Sequence, residues 1–276
     1  MSGHAAEVAA GERFEFGGNW RRFLVAMDDS RLEAAKKSLC NMLETASLEG
    51  KTFLDAGSGS GLSSLAAPTL GATVHSFDYD PESAACTGEL KRRYFPEDGA
   101  WTVETGSVLD RDYLAGLGEF DIVYSWGVLH HTGRQWEAMA NVAERVKPGG
   151  KLFIAIYNDQ GDASRLWLRL KSWYNLYPPL RPLLAVYTLL RQWTLTWIRD
   201  ALTGQPFRTW RRYRHDQRGM SPWRDVIDWI GGYPFEVAKP EEVFDFLRAR
   251  GFVLLRLTTL GRGSGCNEFV FERRAG

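Results

Sequence analysis

The stretch of residues 51–61 constrains the fold of this chain more than any other. Residues 52–55 have the character of a buried strand, glycines follow at positions 57, 59 and 61, and an apolar helical pattern begins at Leu62. Alternate glycines allow a sharp turn and let a ligand approach the backbone without meeting a Cβ. The helix that starts there presents unpaired N–H groups. A plain loop is the alternative interpretation, but the stretch favours a strand, a ligand-binding turn and a helix.

Two acidic residues support a binding role for this turn. Asp55 precedes the glycines, and Asp78 follows the next apolar strand, residues 72–77, at 23 residues beyond Asp55. In nucleotide-binding βαβ units, an acidic residue about 20 residues after the glycine-rich turn accepts hydrogen bonds from the ribose hydroxyls. Hydroxyl donors suit an ionised carboxylate at a strand end. The glycine spacing departs from the dinucleotide turn, whose third glycine lies one position later. The residues therefore indicate a ribose-binding site of another kind.

Strand and helix patterns alternate through residues 51–157 and return after residue 239. Pro148 and the two glycines after it are expected to end a helix over residues 133–146, and glycines at 261–265 turn the chain before the last strand. The pattern predicts an α/β fold with a doubly wound, seven-stranded sheet, in which six strands are parallel and the last is antiparallel. The predicted strands are residues 52–55, 72–77, 101–104, 120–125, 151–157, 252–260 and 267–272.

Four motifs in this order resemble the successive signatures of class I S-adenosylmethionine-dependent methyltransferases. They are residues 54–61, Asp78, residues 120–131 and residues 146–151. The resemblance covers residues 50–157 densely and the C-terminal strands more loosely. It implies methyl transfer as the activity, S-adenosylmethionine as the cofactor and S-adenosylhomocysteine as its product.

The resemblance also assigns residues to the cofactor. Asp55 and the glycine backbone would line the methionine and ribose part, Asp78 would bind the ribose hydroxyls, and Tyr79 would lie against the adenine. Two residues would meet the adenine edge, although relatives commonly have an acidic residue where this chain has Ser107. The full implied set is Asp55, Gly57, Ser58, Gly59, Gly61, Asp78, Tyr79, Ser107, Val108 and Ser125.

The candidate acceptor residues follow the fourth and fifth strands. His130 and His131 lie where an acceptor would enter, and a placed base contributes about 10² to 10⁴-fold to transfer onto a hydroxyl. His131 is preferred because the polar Thr132 follows it. A structural or surface role for the pair is the alternative. The further candidates for the acceptor pocket are Trp20, Trp126, Tyr157 and Asn158.

The remaining segments differ from this core in charge and aromatic content. Residues 1–157 hold 15 Lys and Arg against 22 Asp and Glu, whereas residues 158–220 hold 11 against 4. Seven of the eleven tryptophans lie in residues 158–234. An amphipathic, Arg-flanked helix predicted over residues 182–202 indicates either a lid packed on the core or peripheral contact of residues 161–210 with an anionic membrane. Nucleic acid is disfavoured because the acidic body would repel phosphate.

These patterns divide the chain into four parts. We expect a polar N-terminal tail with covering helices over residues 1–50, and a cofactor-binding core over residues 51–157. A helical insertion or lid over residues 158–238 and a C-terminal helix and hairpin over residues 239–276 follow. The glycines beside Phe16 and Trp20 would suit a flap that closes over the site.

The cysteines and the hydropathy pattern bear on compartment. The three cysteines, at positions 40, 86 and 266, fit neither a disulfide framework nor a zinc site, so no metal is expected. No apolar stretch approaches the ~20 residues needed to cross a bilayer, and residues 1–18 lack the pattern of a signal peptide. We expect a cytoplasmic protein, with contact to the inner face of the membrane left open. No oligomeric state is predicted.

A finer resemblance concerns the acceptor. The Val128-Leu129-His130-His131 loop and the basic, aromatic insertion after the fifth strand resemble the ubiquinone-biosynthesis O-methyltransferases. This likeness implies O-methylation of a small hydrophobic phenol-like or quinol-like acceptor. A small thiol or amine is the alternative, since a thiol is partly ionised near neutral pH and needs less help from a base. A non-catalytic module that binds a membrane or a partner is the alternative of another class.

Overall fold

The computed structural model describes residues 3–25, 27–96, 99–216, 221–261 and 265–275. Within these residues one sheet forms the centre of the molecule. The predicted turn at 261–265 falls largely on residues 262–264, which lie outside the described residues. The strands are β1 (Thr52–Ala56), β2 (Thr73–Asp78), β3 (Trp101–Thr105), β4 (Phe120–Trp126), β5 (Val146–Tyr157), β6 (Phe252–Thr258) and β7 (Cys266–Arg273).

The strand order across the sheet is β3-β2-β1-β4-β5-β7-β6. Neighbouring strands from β3 to β5 pair in parallel, whereas β7 pairs antiparallel with both β5 and β6. The predicted sheet of six parallel strands and an antiparallel last strand is therefore confirmed. From β1 the strands β2 and β3 are added on one side of the sheet, and β4 and β5 are added on the other. In open α/β sheets, ligands bind at the carboxyl ends of the strands where the strand order changes side in this way.

Helices cover both faces of this sheet. Their boundaries follow local signals, as at Asp80, whose Oδ1 accepts from the backbone N–H of Glu82 at 2.9 Å while Pro81 takes the first helical position. The helices are α1 (Gly3–Ala9), α2 (Gly17–Val25), α3 (Asp29–Leu43), α4 (Leu62–Thr69), α5 (Pro81–Tyr94), α6 (Arg111–Leu117), α7 (Gln135–Ala143), α8 (Asp162–Leu176), α9 (Arg181–Leu202), α10 (Arg208–Asp216), α11 (Pro222–Gly231) and α12 (Pro240–Arg248).

Two apolar cores lie on opposite faces of the sheet. On one face, α2 to α5 pack against Phe53, Trp101 and Phe153. On the other, α6, α7 and α12 pack against Leu54 and Phe271. Each strand of the centre is thus buried on both faces, which is the condition under which parallel sheets are stable.

The stretch between β5 and α12 is helical and has a small core of its own. Trp167, Leu170 and Tyr174 of α8 pack against Ile230 of α11 and against Phe235. Tyr157, the last residue of β5, joins this cluster and links it to the sheet. Among the described residues no helix is both long and apolar enough to pass through a bilayer.

The expectation of a polar N-terminal tail was wrong. Residues 3–9 form α1, and His4 is buried with its ring 5.5 Å from that of Tyr79. Arg13 pairs with Glu7 at 2.6 Å. The contacts that order this segment come from residues distant in sequence, and a seven-residue helix is too short to show a clear period.

The fifth strand also begins earlier than expected, at Val146, and α7 ends at Ala143. Val146 pairs with Phe120, and the register shifts before the next pair, Ile122 with Lys151. This irregularity accommodates Pro148 and its glycines within the strand, because a bulge tolerates residues that a regular ladder excludes.

A substitution in the C-terminal helix can test the prediction that residues 239–276 complete the core. Leu247 of α12 is 0% exposed, so Leu247→Ala is expected to lower the free energy of unfolding by about 2–5 kcal/mol through lost burial and a cavity. Urea denaturation followed by circular dichroism measures this change. Leu255→Ala is the control, since Leu255 on β6 is 44% exposed and should change stability by only a few tenths of that amount. Equal effects of the two substitutions would contradict the assignment.

Candidate active site

The turn after β1 forms one wall of the site. Gly57, Gly59 and Gly61 have φ angles of 91°, 53° and 78°, in the left-handed region that favours glycine. A Cβ at Gly57 would lie 2.4 Å from Val128 Cγ1, whereas the atoms nearest to one at Gly59 would be those of the Trp20 indole, at 3.5 Å and beyond. Gly59 therefore faces a cleft that Trp20 covers.

Asp55 ends in the same cleft and is 1% exposed. Its Oδ2 accepts from Ser64 Oγ at 2.5 Å, and this serine in turn accepts from Ser76 Oγ, at 2.8 Å. Within the described residues Oδ1 has no hydrogen-bond partner. Burial, with a smaller contribution from the charge of Asp78, raises the pKa of the Asp55 carboxyl to about 7 against the opposing effect of Ser64.

Asp78 lies opposite, at the end of β2. One carboxylate oxygen accepts from the backbone N–H of Gly59 and the other from that of Asp80, each at 2.9 Å. Burial raises the pKa of Asp78 to about 6 although both hydrogen bonds lower it. The structure thus brings together the two acids and the glycine turn. The hydrogen bonds of the two carboxyls do not fully offset the cost of removing their ionised forms from water.

The other residues implied to line the cofactor have defined places. Ser125 Oγ donates to the Ala56 carbonyl at 2.7 Å, so this hydroxyl joins β4 to β1. The Ser58 and Thr87 hydroxyls share a hydrogen bond of 2.8 Å. Ser107 Oγ accepts from the backbone N–H of Leu109, and the Val108 carbonyl accepts from Asn141. These side chains fix the backbone around the cleft.

Tyr79 is covered by the N-terminal segment, which sequence reasoning did not place in the site. The Tyr79 hydroxyl donates to Glu7 at 3.0 Å, and the Arg13 guanidinium lies 4.9 Å from the centroid of its ring. Arg13 Nη1 also donates to the His131 carbonyl at 2.8 Å. One arginine therefore contacts both the adenine-side residue and the histidine loop. The spacing of Glu7 and Arg13 carries no helical signal that could have revealed this.

The histidines lie on a short 3₁₀ turn, Leu129–His131, after β4. His131 Nδ1 lies 2.6 Å from the Pro234 carbonyl, which can only accept, so Nδ1 carries the proton and Nε2 is the acceptor. His130 is fully buried, and its Nδ1 accepts from the backbone N–H of Tyr157. Burial lowers the pKa of His131 to about 3 and that of His130 well below its usual value. Both rings are neutral near pH 7.

The predicted pocket residues divide into two groups. Tyr157 lies with the histidines, its ring centroid 3.9 Å from that of His130, and Trp20 covers the glycine turn. Trp126 Nε1 instead donates to Glu268 at 2.6 Å. Asn158 donates to the Gly261 carbonyl and accepts from Asn267. The side-chain hydrogen bonds of Trp126 and Asn158 thus join strand ends to the C-terminal hairpin.

Comparison with known proteins identifies the family. A family model described as a methyltransferase domain matches residues 27–217, more than half of the chain. The chain belongs to this methyltransferase family. The resemblance to class I S-adenosylmethionine-dependent methyltransferases drawn from the four motifs is thereby confirmed, as is the fold that it implied.

Individual relatives are more distant. The ubiquinone biosynthesis O-methyltransferase of Thiobacillus denitrificans is 34% identical over 114 residues, which are 41% of this chain and 47% of that protein. The ribosomal protein L11 methyltransferase of Methylococcus capsulatus is 32% identical over 129 residues, 46% of this chain and 41% of that protein. The chain thus matches less than half the length of these curated relatives.

Solved structures agree at the level of the fold. The magnesium protoporphyrin IX methyltransferase of Synechocystis PCC 6803, with bound S-adenosylhomocysteine, superposes with a TM-score of 0.53 at 13% identity. The match covers 88% of this chain and 83% of that chain. An O-methyltransferase family protein from Burkholderia thailandensis superposes with a TM-score of 0.52 at 15% identity, over 90% of this chain and 58% of that one.

The residues of the cleft fit S-adenosylmethionine. Among the described residues Asp55 Oδ1 has no partner and can accept from a ligand N–H, and a ligand with positive charge would offset the charges of buried Asp55 and half-buried Asp78. No atom crowds the Cβ position of Gly59, since the nearest atoms, in the Trp20 indole, lie 3.5 Å away. Asp55, Asp78 and the glycine turn are thus the residues that would hold this cofactor.

Asp78→Asn is expected to weaken binding of the donor about tenfold or more, because the neutral amide cannot offset positive charge and replaces one of the two acceptor oxygens by a donor. Titration calorimetry with S-adenosylmethionine measures the affinity. Asp112→Asn, an exposed acid on α6, is the control and should leave it unchanged. Unaltered affinity in Asp78→Asn would remove this acid from the binding site.

The same carboxyls predict how donor binding depends on pH. The ligand-free fold favours their protonated forms, so their contribution to stability is present at low pH and is lost as pH rises through about 6 to 7. A cationic ligand favours the ionised forms. Binding should therefore strengthen between about pH 5 and 7 with release of protons, and calorimetry in buffers of different ionisation enthalpy measures that release. A constant affinity over this range would contradict the argument.

Proposed function

We propose that this protein transfers a methyl group from S-adenosylmethionine to a hydroxyl of a small hydrophobic, phenol-like or quinol-like acceptor. One observation carries the proposal: Arg13 contacts Tyr79 and also the His131 carbonyl. The N-terminal segment that contains Arg13 therefore bridges two half-sites, the first around Asp55, Asp78 and Tyr79 for the donor and the second around His131 for the acceptor. The likeness of the core to ubiquinone biosynthesis O-methyltransferases supports a hydroxyl acceptor.

The character of the second half-site supports an aromatic acceptor. The rings of Phe16, Tyr157 and His130 surround His131 at centroid distances of 5.2, 5.4 and 4.5 Å. Flat apolar walls with a few polar groups favour a flat, largely apolar ligand. A small thiol or amine is the alternative acceptor.

When bound, S-adenosylmethionine supplies a methyl group on a sulfonium, and the C–S electron pair stays on sulfur as the acceptor oxygen takes the methyl. Asp55 and Asp78 hold the donor, and the covering Trp20 and Phe16 restrict water. Holding the reactants in line accounts for most of the acceleration in such a displacement. His131 Nε2 receives the hydroxyl proton. Because the pKa of His131 is about 3, this transfer accompanies attack of the oxygen and does not precede it.

The test is transfer of a labelled methyl group from S-adenosylmethionine to components of a cell extract, followed by mass spectrometry of the labelled product. We expect an O-methylated aromatic compound. Label on sulfur or nitrogen would support the alternative acceptors and overturn O-methylation. Donor binding without any transfer would instead support a non-catalytic module.

His131→Gln is expected to lower kcat by about 10² to 10⁴-fold while the affinity for the donor is unchanged. His75→Gln is the matched control, since His75 pairs with Glu104 on neighbouring strands away from the histidine loop. An equal kcat in His131→Gln and His75→Gln would exclude His131 as the proton acceptor.

A specific surface favours contact with a membrane as a second property. Helix α9 buries Leu184, Thr188 and Trp193, yet several of its other apolar side chains are exposed, Leu183 to 67% and Leu202 to 84%. The exposed apolar side chains are Leu183, Val186, Tyr187, Leu190, Leu195, Ile198 and Leu202. We propose that these side chains lie in the headgroup boundary of an anionic membrane, because exposed arginines at positions 191 and 199 of the same helix complement its charge.

Sedimentation with phosphatidylglycerol and phosphatidylcholine vesicles tests this contact. The unmodified protein should partition with the anionic vesicles, and Leu190→Gln with Ile198→Gln should reduce partition by about tenfold, since each removes buried apolar area. The control pair, Leu255→Gln with Leu257→Gln, removes leucines of β6 that are 44% and 41% exposed, against 50% for both Leu190 and Ile198, and should have no effect. Equal partition of the two double variants would overturn the proposal.

A further inference from the structure

Lys171 of α8 is a buried cation that the mechanism above does not use. Its side chain is 0% exposed, and Nζ donates to the Trp229 carbonyl. The same atom lies 4.4 Å from the centroid of the Trp229 ring and 4.7 Å from that of Phe235. Among the described residues no carboxylate forms an ion pair with it. A buried charge without a counter-charge is costly, and ring faces compensate only part of that cost.

The surroundings of Lys171 continue into the second half-site. The rings of Trp229 and Phe235 lie 5.6 and 5.3 Å from that of Tyr157, whose ring lies 3.9 Å from that of His130. Burial is the largest cause of the lowered pKa values of His130 and His131, and the positive charge of Lys171 is a smaller cause in both. The field of the lysine therefore reaches the place where the acceptor is proposed to bind.

We propose that Lys171 makes this half-site selective for small aromatic molecules that carry an anionic oxygen, either an ionised ring hydroxyl or a ring carboxylate. The inference rests on the proposed function, because it takes the surroundings of His131 as the acceptor site. An anionic oxygen bound beside His131 supplies the counter-charge that Lys171 lacks. Lys171 thus acts as a specificity-determining residue and takes no part in moving a proton.

The protonation of Lys171 provides an independent signature. Burial lowers its pKa to about 7, and an anionic ligand favours the charged amine. Binding of such a ligand should therefore take up protons at and above about pH 7. Burial keeps both histidines neutral there, and Asp225 accepts from the Tyr213 hydroxyl. The ionisable groups on the elements packed around Lys171 include His130, His131, Tyr157, Tyr174, Asp225 and Asp228, together with Arg224 of α11 and Arg181 and Arg191 of α9.

Three related compounds separate the two sources of the anionic oxygen. Catechol is the neutral reference, protocatechuate adds a carboxylate, and nitrocatechol has a more acidic hydroxyl. Their affinities are measured by titration calorimetry on the full chain in the presence of S-adenosylhomocysteine. We expect at least one anionic compound to bind about 10- to 100-fold more tightly than catechol, with proton uptake.

Substitutions assign this preference to the lysine. Lys171→Met retains the size of the side chain and should abolish the preference and the proton uptake, whereas Lys171→Arg should keep the preference. Arg169→Met, which removes an exposed charge from the same helix, is the control and should behave as the unmodified protein. Loss of affinity for protocatechuate alone assigns the carboxylate, and loss for nitrocatechol alone assigns the hydroxyl.

Two results would overturn the inference. One is the absence of any preference for the anionic compounds in the unmodified protein. The other is an equal loss of affinity for all three compounds in Lys171→Met, which indicates a packing role only. Because these measurements concern binding, they are independent of methyl transfer. Failure of the proposed function would appear separately, as a lack of labelled product.

Discussion

The hydrogen bond from the backbone N–H of Gly59 to Asp78 is the interaction on which the site depends. It ties the turn after β1 to the end of β2, so that the turn and both carboxyls meet at one edge of the sheet. The turn itself requires glycine, because a side chain at Gly57 would collide with Val128, which follows β4. In this arrangement the buried carboxyl of Asp55 lies near the half-buried carboxyl of Asp78, and a positively charged ligand would offset the repulsion between the two anions.

The core of the fold could be predicted because its determinants are local. Alternating patterns located each strand of the sheet, and the Asp80-Pro81 pair marked the start of α5. The N-terminal segment was misjudged because its partners are remote: Arg13 and His131 are 118 positions apart in sequence. The start of β5 was missed because Pro148 reads as a break, whereas an irregular register with β4 accommodates it.

The two half-sites also differ in whether their residues are close together or far apart in the sequence. The residues predicted for the cofactor lie in short local motifs, and the structure brings the glycine turn and Asp78 of two such motifs together. The other side is assembled from segments that meet only in the folded chain. Lys171 has the sequence context of the polar face of an amphipathic helix, and its burial depends on α11 packing over it. Trp126 and Asn158 stand at strand ends, but hydrogen bonds to the C-terminal hairpin engage both side chains.

Arg13 has a kinetic consequence. It donates to the His131 carbonyl while it covers Tyr79, whose hydroxyl donates to Glu7, so these three contacts would have to break if the N-terminal segment lifted away from the core. Under the proposed function, entry and escape of donor and acceptor would then require the same opening of the segment. Turnover would be limited by how often these contacts break, and the spent nucleoside and the methylated product would leave during one opening.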